Sequence, residues 1–594
     1  MALNHYNILA ANHPCSVFSR ALVPLQSHSA KITPSNRSKF TKTLKCIAAD
    51  ESIARRSGNY KPTIWQYDYI QSIKSDYSGN VHAEKAAKLK EYVKQRLEKV
   101  KNPLDKFEMI DDLERLGVSY HFEDEIKIIL NEIYNNDNYD MRDKEELYAT
   151  SLKFRLFRQH GYKCSHDMFN IFKDDEGKFK AGLSTDTKGM LCLYEATFLS
   201  VKGEIVLEEA KEFSTKYLKE SLEKGIDADL AKLVAHALEL PLHWRIPRLE
   251  ARWFIDVYRK RPDMNPIILE FAILDFNIVQ AIHQEDLKQM SRWCKNTGLE
   301  DKLSFARNRL VENFLWTVEK NFVPRFEYYR RATTKFNILI TMIDDVYDVY
   351  GTLEELELFT TAVERWDLSA MDQLPDYMKI CYFALFNSTN DTAYDILKEE
   401  GLLVISYLKK TWVDLCKMFM LEAKWFHSGY KPTFDEYMNI AWISGAAPLM
   451  LVHDYILVTK PLKKENLEFL EEKHKTIKWA AIIFRLTNDL ATSSDEMKRG
   501  DVLKSIQCYM HETGASEEAA RKHMKHLINE SWMDINKYLL SEESPSISKT
   551  FIGTAMNLVR MAQCMYQFGD GHSSQDNETQ NRVLSLIIDP IPLI

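Results

Sequence analysis

Several features that define other protein classes are scarce or missing in this chain of 594 residues. Glycine (19 residues) and proline (17 residues) are few, which disfavours a loop-rich β-sandwich. The nine cysteines form no CxxC pair, and their odd number fits reduced, buried thiols better than a disulfide framework. No apolar run reaches the length of a membrane span: the best candidate, residues 441–452, is broken by Gly445 and Pro448 and is predicted to be a kinked buried helix. We therefore expect a soluble protein with no membrane partner.

Acidic residues are missing from the first 49 positions, which contain six lysines or arginines and six serines. These positions also lack an apolar stretch long enough for a secretory signal. A serine-rich, acid-poor leader is typical of an organelle transit peptide, so residues 1–49 are interpreted as one, with a disordered basic tail as the alternative. The rest of the chain is therefore more acidic than the net charge of −8 indicates. This excess argues against a nucleic-acid partner and requires cations elsewhere.

From about residue 60 onward the pattern is almost wholly helical. Residues 83–100 and 204–223, for example, place apolar side chains three and four positions apart with charges between them. Strands and helices do not alternate, and no repeat of fixed period is present. A basic, proline-flanked stretch at residues 258–266 is the predicted domain junction, which divides the chain into helical domains at 50–262 and 263–594. The preceding basic amphipathic run, residues 244–254, is predicted to cover the interface between them, with a membrane or partner helix as the alternative.

The first acidic motif follows an apolar helical stripe at residues 336–343. Asp344 and Asp348 are four positions apart, so both carboxylates project from one face of a helix, with Asp345 between them. Residues 351–355 offer a glycine stop and a capping box for the next helix. Like charges at this spacing repel, so a compensating cation is expected, and oxygen ligands suit Mg²⁺. The alternative is a solvated acidic turn, which the apolar helix before it disfavours.

The second motif is a column of polar side chains on another helix. Asn488, Thr492 and Glu496 are spaced i, i+4 and i+8, which aligns an amide, a hydroxyl and a carboxylate. These oxygens are again ligands for Mg²⁺. Apolar residues at 482–486 predict a buried helix, where unpaired polar groups would cost several kcal/mol. Arg485 lies one turn earlier and is well placed to bind phosphate with its planar guanidinium.

These motifs resemble the two metal-binding motifs of class I terpene synthases, DDxxD and NDxxTxxxE. Three further elements add to the resemblance and extend it over nearly the whole chain. They are the tandem arginines Arg55 and Arg56 followed by Trp65, the RxR element Arg307 to Arg309, and an interdomain helix at residues 243–253. The first of them is similar to the leader-proximal motif of plant monoterpene synthases. Together and in this order, the motifs are specific.

The resemblance implies an all-α fold of two helical domains, in which a C-terminal class I terpenoid-synthase barrel follows an N-terminal α-barrel-like domain. It also implies three Mg²⁺ ions, with Mn²⁺ as a substitute. Asp344 and Asp348 would bridge two of the ions, and Asp345 would support them. The third ion would bind Asn488, Thr492 and Glu496.

The resemblance assigns further residues to the substrate, a prenyl diphosphate. Arg307, Arg485 and Lys504 would hold the diphosphate, together with the metal ligands Asp344, Asp348 and Asn488. The carbocation that remains needs a dry cavity with electron-rich walls, and the candidates by family position are Trp316, Tyr347, Phe484 and Tyr566. Core packing is the ordinary alternative for each aromatic side chain. Tyr566 and His572 are also candidates to accept the final proton.

We therefore predict a monoterpene synthase that acts on geranyl diphosphate in the plastid stroma, as a monomer or weak homodimer. A chain-elongating transferase would have a second DDxxD motif, and a class II cyclase would have DxDD, which is absent. Sesquiterpene and isoprene synthases remain alternatives. Isoprene synthase carries phenylalanine where this chain has Asn337 and asparagine where it has Lys504, so both positions favour a larger substrate. A calcium-binding scaffold is disfavoured because no acidic loop has an EF-hand glycine.

Overall fold

The structure is a computed structural model that describes residues 55–135, 146–471, 475–498, 500–540, 548–574 and 576–593. Residues 55–594 form one compact unit, and the regular secondary structure of its described part is helical apart from an isolated bridge between Lys173 and Phe179. The predicted all-α fold is therefore confirmed. The leader predicted at residues 1–49 lies outside the described residues.

The first part of the chain consists of short and medium-length helices; one apolar cluster lies within it, and the rest of its core is continuous with that of the second part. Their bounds are α1 Tyr67–Ser72, α2 Asn80–Lys99, α3 Pro103–Arg115, α4 Glu123–Tyr134, α5 Leu147–Gln159, α6 Thr187–Thr197, α7 Ile205–Lys224, α8 Ala228–Glu239 and α9 Pro247–Tyr258. The last of them, α9, is the amphipathic helix expected at the interface. Its Arg248 is buried and donates a 3.0 Å hydrogen bond to the carbonyl of Phe276, on the following helix.

The second part contains longer helices, several of which surround a central cavity. Their bounds are α10 Pro266–Thr297, α11 Leu299–Lys302, α12 Leu310–Lys320, α13 Glu327–Asp345, α14 Leu353–Arg365, α15 Asp376–Glu400, α16 Ile405–Ser428, α17 Phe434–Ser444, α18 Ala447–Val458, α19 Lys464–Glu471, α20 Lys475–Lys498, α21 Ser505–Thr513, α22 Glu517–Leu539, α23 Lys549–Met565 and α24 Asn577–Val583. Helices α12, α13, α16, α17, α18 and α20 contribute residues to the cavity wall.

The predicted junction falls in the turn between α9 and α10. Asn265 caps α10, its side chain accepting hydrogen bonds from the backbone N–H groups of Ile267 and Ile268, and Pro266 occupies the first turn. Gly298, in the left-handed conformation, ends the helix. The turn thus breaks the helices as expected, while the domain boundary at residue 262 stays a prediction.

Two apolar stretches among the described residues are long enough to cross a membrane by length and hydropathy, Pro266–Thr297 and Phe434–Val458. Within the most apolar windows of these stretches, 72% and 83% of the residues are buried inside the protein. By this measure the prediction that no apolar run reaches the length of a membrane span is wrong, because both stretches are longer than the run at residues 441–452. The second stretch contains the predicted kink, because α17 ends at Ser444 and α18 begins at Ala447, with Ala446 in the left-handed region (φ 63°).

Candidate functional site

A cavity in the second part of the chain brings together the residues of both motifs. Its wall holds a polar end formed by the motif residues and a more apolar interior. The lining residues are Arg307, Asn313, Trp316, Asn337, Ile340, Thr341, Asp344, Asp348, Phe419, Glu422, Ser444, Gly445, Ala446, Met450, Phe484, Arg485, Asn488, Thr492, Glu496, Lys504, Tyr566, Asp570, His572 and Ser573. The predicted site residues are all in this set except Asp345 and Tyr347, which lie behind the wall.

The first motif lies at a helix end. Helix α13 stops at Asp345, and Val346–Tyr350 forms a π-helical turn closed by a 2.8 Å bond from the N–H of Gly351 to the carbonyl of Val346. Single π turns are frequent at functional sites. This widened turn was not predicted, yet it keeps Asp344 and Asp348 on the same cavity wall. The predicted capping box of α14, which follows directly, is present with both of its hydrogen bonds.

The second motif lies in the second half of α20, and the predicted column is confirmed as one face of that helix. Asn488, Thr492 and Glu496 all line the cavity. The hydroxyl of Thr492 donates to the carbonyl of Asn488 at 3.1 Å, which leaves its oxygen lone pairs directed away from the helix. The motif therefore offers oxygen atoms from three successive turns.

The electrostatics of the two motifs fit divalent cations. The Asp348 carboxyl is buried near Asp344 and Asp501, and burial together with these like charges raises its pKa well above the ordinary value. Oε2 of Glu496 is buried without a hydrogen bond. Among the described residues, no three acidic, histidine or cysteine side chains converge closely enough to hold an ion by themselves. Mg²⁺ suits such a site, because it binds through one or two carboxylates and completes its shell with water and phosphate.

Asp345 anchors a cavity-lining arginine. Its side chain is fully buried and accepts hydrogen bonds from the backbone N–H of Arg307 (2.7 Å) and from Nε of the same residue (3.1 Å). Nη2 of Arg307 donates to Asp344 at 2.5 Å, and Nη1 donates to Ser573 at 3.0 Å. The guanidinium is therefore held at the polar end of the cavity.

Asp489 plays the corresponding part in the second motif, and sequence reasoning missed it. This buried carboxylate lies 2.7 Å from Nη2 of Arg485 and accepts a 2.9 Å hydrogen bond from Tyr437. The hydroxyl of Tyr437 in turn accepts from Nε of Arg485 at 2.9 Å, and the N–H of Ser505 donates to Asp489 at 3.1 Å. The i, i+4 spacing of Arg485 and Asp489 was a readable signal.

Lys504 lies at the same end of the cavity, among carboxylates from three chain segments. Its ammonium is 3.4 Å from Asp501 and 3.8 Å from Glu496. Burial opposes its charge, but these carboxylates more than compensate and raise the pKa of the lysine. Glu422, on α16, lines the cavity nearby and accepts a 2.6 Å hydrogen bond from Ser444. Glu422 and Asp501 could not be predicted from the sequence, because neither belongs to a motif.

Aromatic side chains form part of the interior wall. Trp316 lies with its ring centre 5.4 Å from Phe484 and 6.1 Å from Tyr566, and all three line the cavity. His572 lies edge-on to Trp316 at 6.5 Å, and burial together with Arg307 lowers its pKa to about 3. Tyr347 does not line the cavity; its hydroxyl is hydrogen-bonded to Thr360 and its ring packs against Phe419. Its predicted place on the wall is not supported.

The tandem arginines contact the turn of the first motif, beside the polar end of the cavity (its mouth). Arg55 makes two hydrogen bonds, of 2.8 and 2.9 Å, with the carboxylate of Glu355 and a third with the carbonyl of Tyr350. Arg56 donates to the carbonyl of Asp348 at 2.9 Å and covers the ring of Phe426. Trp65, further along, is buried. The segment therefore lies across the turn that carries the first motif.

Comparison with known proteins gives matches along nearly the whole chain. Residues 64–238 match the model of the terpene synthase N-terminal domain, and residues 295–534 match that of the terpene synthase family metal binding domain. A chloroplastic myrcene synthase of Quercus ilex is 55% identical over 98% of this chain and 99% of its own length.

Solved structures agree with this match. A limonene synthase bound to 2-fluorolinalyl diphosphate superimposes with a TM-score of 0.88 and 48% identity, covering 91% of this chain and all of the other. Isoprene synthase from grey poplar leaves (Populus x canescens), in complex with three Mg²⁺ ions and dimethylallyl-S-thiolodiphosphate, has a TM-score of 0.82 and 46% identity, covering 90% and 100%.

Proposed function

This chain belongs to the terpene synthase family, and on that premise we propose that it is a monoterpene synthase that ionises geranyl diphosphate. One observation carries the proposal: two oxygen-bearing motifs and two anchored arginines meet at one end of a cavity whose other walls are largely apolar and aromatic. Such an arrangement separates the charged leaving group from the hydrocarbon. It serves a reaction in which a diphosphate departs and a carbocation remains.

The metal ligands in this proposal are the two motifs. Asp344 and Asp348 would hold two Mg²⁺ ions and Asn488, Thr492 and Glu496 a third, with Mn²⁺ able to replace Mg²⁺. When bound, the ions supply the positive charge that neutralises the departing diphosphate. Two observations support the binding of these ions: the pKa of Asp348 is raised, and Oε2 of Glu496 is buried without a hydrogen bond.

The remaining polar residues bind and orient the diphosphate. Arg307 and Arg485 present planar guanidinium groups that suit phosphate oxygens, and Lys504 adds a point charge. Asp345 and Asp489 fix the arginines from behind, so that little side-chain freedom is lost when the substrate binds. Because Arg485 and Lys504 are buried and the Arg307 side chain is only 13% exposed, their interactions with the leaving group are little screened by water.

The aromatic wall receives the hydrocarbon. Trp316, Phe484 and Tyr566 attract the carbocation through their ring faces and keep water away. His572 is neutral, and its Nδ1 atom is buried without a hydrogen-bond partner. It can therefore accept the proton that ends the reaction, and Tyr566 is the second candidate. The balance between proton loss and water capture sets the product.

A ten-carbon substrate is favoured by the cavity interior. Asn337 lines the cavity at the position where isoprene synthase carries a phenylalanine, so its smaller side chain leaves more room. The apolar wall can also admit a longer chain, because a hydrophobic pocket discriminates weakly between substrates that differ by added carbons. Farnesyl and dimethylallyl diphosphates are therefore the two competing substrates.

The acid-free leader and the chloroplastic relative support a plastid location, and within the plastid we propose the stroma, where a soluble enzyme would work. The apolar stretches on α10 and on α17–α18 serve the protein core in this proposal, so no membrane partner is needed. No nucleic-acid partner is proposed, and the expected state is a monomer or weak homodimer.

A competition assay tests the substrate assignment. Protein lacking residues 1–50 is incubated with Mg²⁺ and an equimolar mixture of dimethylallyl, geranyl and farnesyl diphosphates, and volatile products are quantified by gas chromatography. We expect geranyl diphosphate to be consumed first and pyrophosphate release to stop when the metal is chelated. A preference for farnesyl or dimethylallyl diphosphate would contradict the assignment. Slow turnover of farnesyl diphosphate alongside faster turnover of geranyl diphosphate would not.

A further inference from the structure

Helix α22 lies behind the second metal motif and holds it from the side opposite to the cavity. An α-helix advances by about 100° per residue, so positions 490 and 494 of α20 point away from positions 488, 492 and 496. Arg521, in the second turn of α22, donates to the carbonyl of Leu490 at 2.8 Å and to the hydroxyl of Ser494 at 3.0 Å. Two hydrogen bonds from one guanidinium therefore fix the back of the metal-bearing segment.

The guanidinium itself is held in place. Its Nε atom donates to Glu517 at 2.8 Å, one turn earlier on the same helix, so all three nitrogen positions of Arg521 have acceptors. A planar group with three fixed partners restrains position and rotation together, which a lysine cannot do. This geometry suits a residue whose task is to position α20.

The other end of α22 is fixed by the first part of the chain. Asn536 donates two 2.9 Å hydrogen bonds, to the carbonyls of Phe198 and Ser200, and accepts a third from His243 at 2.9 Å. Trp532, one turn earlier, stacks on Trp244 with ring centres 5.7 Å apart. Asn536 and Trp532 are buried, and they lie on the same face of α22 as Arg521.

We propose that Arg521 is a positioning residue for the second metal motif, and that α22 transmits to that motif the support of the N-terminal helices. The inference rests on the proposed function, since it requires an ion at Asn488, Thr492 and Glu496. It assigns the first part of the chain a role in catalysis although its residues do not line the cavity walls described here.

Mg²⁺-dependent pyrophosphate binding to the full chain, measured by calorimetry without turnover, tests the proposal. Arg521→Met keeps the length of the side chain and removes its hydrogen bonds. We expect it to weaken this binding about tenfold, at the lower end of what outer-shell changes cost metal sites. Arg521→Lys should restore part of the loss. Amide hydrogen exchange in a peptide covering residues 488–498 should become faster in Arg521→Met.

Three controls separate the outcomes. Arg365→Met removes an exposed arginine at the end of α14 whose side chain, among the described residues, bonds to nearby Asp367 and Ser369, and it should change nothing. If Arg521→Met does not fold, Ser494→Ala removes one of the two bonds and should produce a smaller shift in the same direction. Asn536→Ala should also weaken binding, because it releases the far end of α22.

The results distinguish this proposal from the function on which it rests. Wild-type protein that binds no pyrophosphate in the presence of Mg²⁺ would refute the proposed function itself. If the wild type binds and Arg521→Met lowers only the unfolding temperature, with metal-dependent binding unchanged, Arg521 is a structural residue and the inference is wrong. Unchanged binding in Asn536→Ala alone would overturn the part assigned to the N-terminal helices.

Discussion

The two metal motifs present similar oxygen atoms to one cavity but are supported in different ways. In each motif a fully buried aspartate, Asp345 or Asp489, forms an ion pair with an arginine that lines the cavity. The first motif, however, ends its helix in a π turn that is covered by Arg55 and Arg56. The second motif lies within a continuous helix, and Arg521 of α22 donates a hydrogen bond to that helix from the side opposite to the cavity.

The difference suggests that the two motifs have different roles in the reaction. A helix end with a widened turn and a covering segment can change its shape when ions and substrate arrive, since terminal turns have few partners to constrain them. A mid-helix column restrained by a neighbouring helix keeps its ligands in place. We infer that the first motif changes its shape when the mouth of the cavity closes, whereas the second motif keeps its position. The following predictions test this comparison, beginning with the property that the motifs share.

Removal of one metal-binding carboxylate from either motif should have the largest effect. Asp344→Ala and Glu496→Ala should each reduce the rate of pyrophosphate release at least about 100-fold, because charge neutralisation of the leaving group is lost. The rate is measured with geranyl diphosphate and saturating Mg²⁺, alongside circular dichroism to confirm folding. Asp376→Ala, at a fully solvated position on α15, is the matched control and should leave the rate unchanged. Near-normal turnover in either motif variant would remove that motif from the mechanism.

The anchoring aspartates should be less sensitive than the ligands. Asp345→Asn and Asp489→Asn keep the shape of the side chain but lose the charge that faces Arg307 or Arg485. We expect each to raise KM for geranyl diphosphate about tenfold, with a smaller fall in kcat. The two KM values should be similar if the anchors are equivalent. Asp345→Asn should also be milder than Asp344→Asn, and equal damage in these two variants would make Asp345 a direct ligand.

Much of this site was readable from the chain, because helical periodicity alone aligns Asn488, Thr492 and Glu496 and places Asp344 near Asp348. The all-helical fold and the capping box at Thr352 followed from similarly local patterns. What could not be read depends on contacts between distant segments. Glu422 reaches the cavity only because α16 packs against the wall, and Tyr347 looked like a wall residue until its hydroxyl proved to be directed at Thr360.

Deletion of the tandem arginines should separate closure of the mouth from ionisation. A protein that starts after Arg56 should ionise geranyl diphosphate at a rate within about threefold of one that starts at Arg55, because both metal motifs remain. Water should enter the cavity more readily, so the share of acyclic alcohols among the products should rise. Gas chromatography of both truncations measures the shift. If the product ratio and the rate are both unchanged, the arginines are ordinary surface charge.

The ion pair at the mouth should give the smallest effect, visible as a dependence of stability on pH. Burial opposes the charge of Glu355, but hydrogen bonds from Arg55, from the N–H of Thr352 and from Tyr377 hold the pKa of this carboxyl at about 2 in the folded protein. An unfolded glutamate has a pKa of about 4.3, so the native state favours the ionised form. Its contribution to stability is therefore fully present above about pH 5 and is lost as the pH falls towards 2.

In Glu355→Gln the free energy of unfolding should drop by about 1 kcal/mol at pH 7, a typical value for a partly exposed pair, and the gap to wild type should narrow between pH 5 and pH 3. Urea unfolding at several pH values measures that gap. A gap that is constant down to pH 3 would mean that the charge of Glu355 does not hold the covering segment in place, and the first motif would then lose its main distinction from the second.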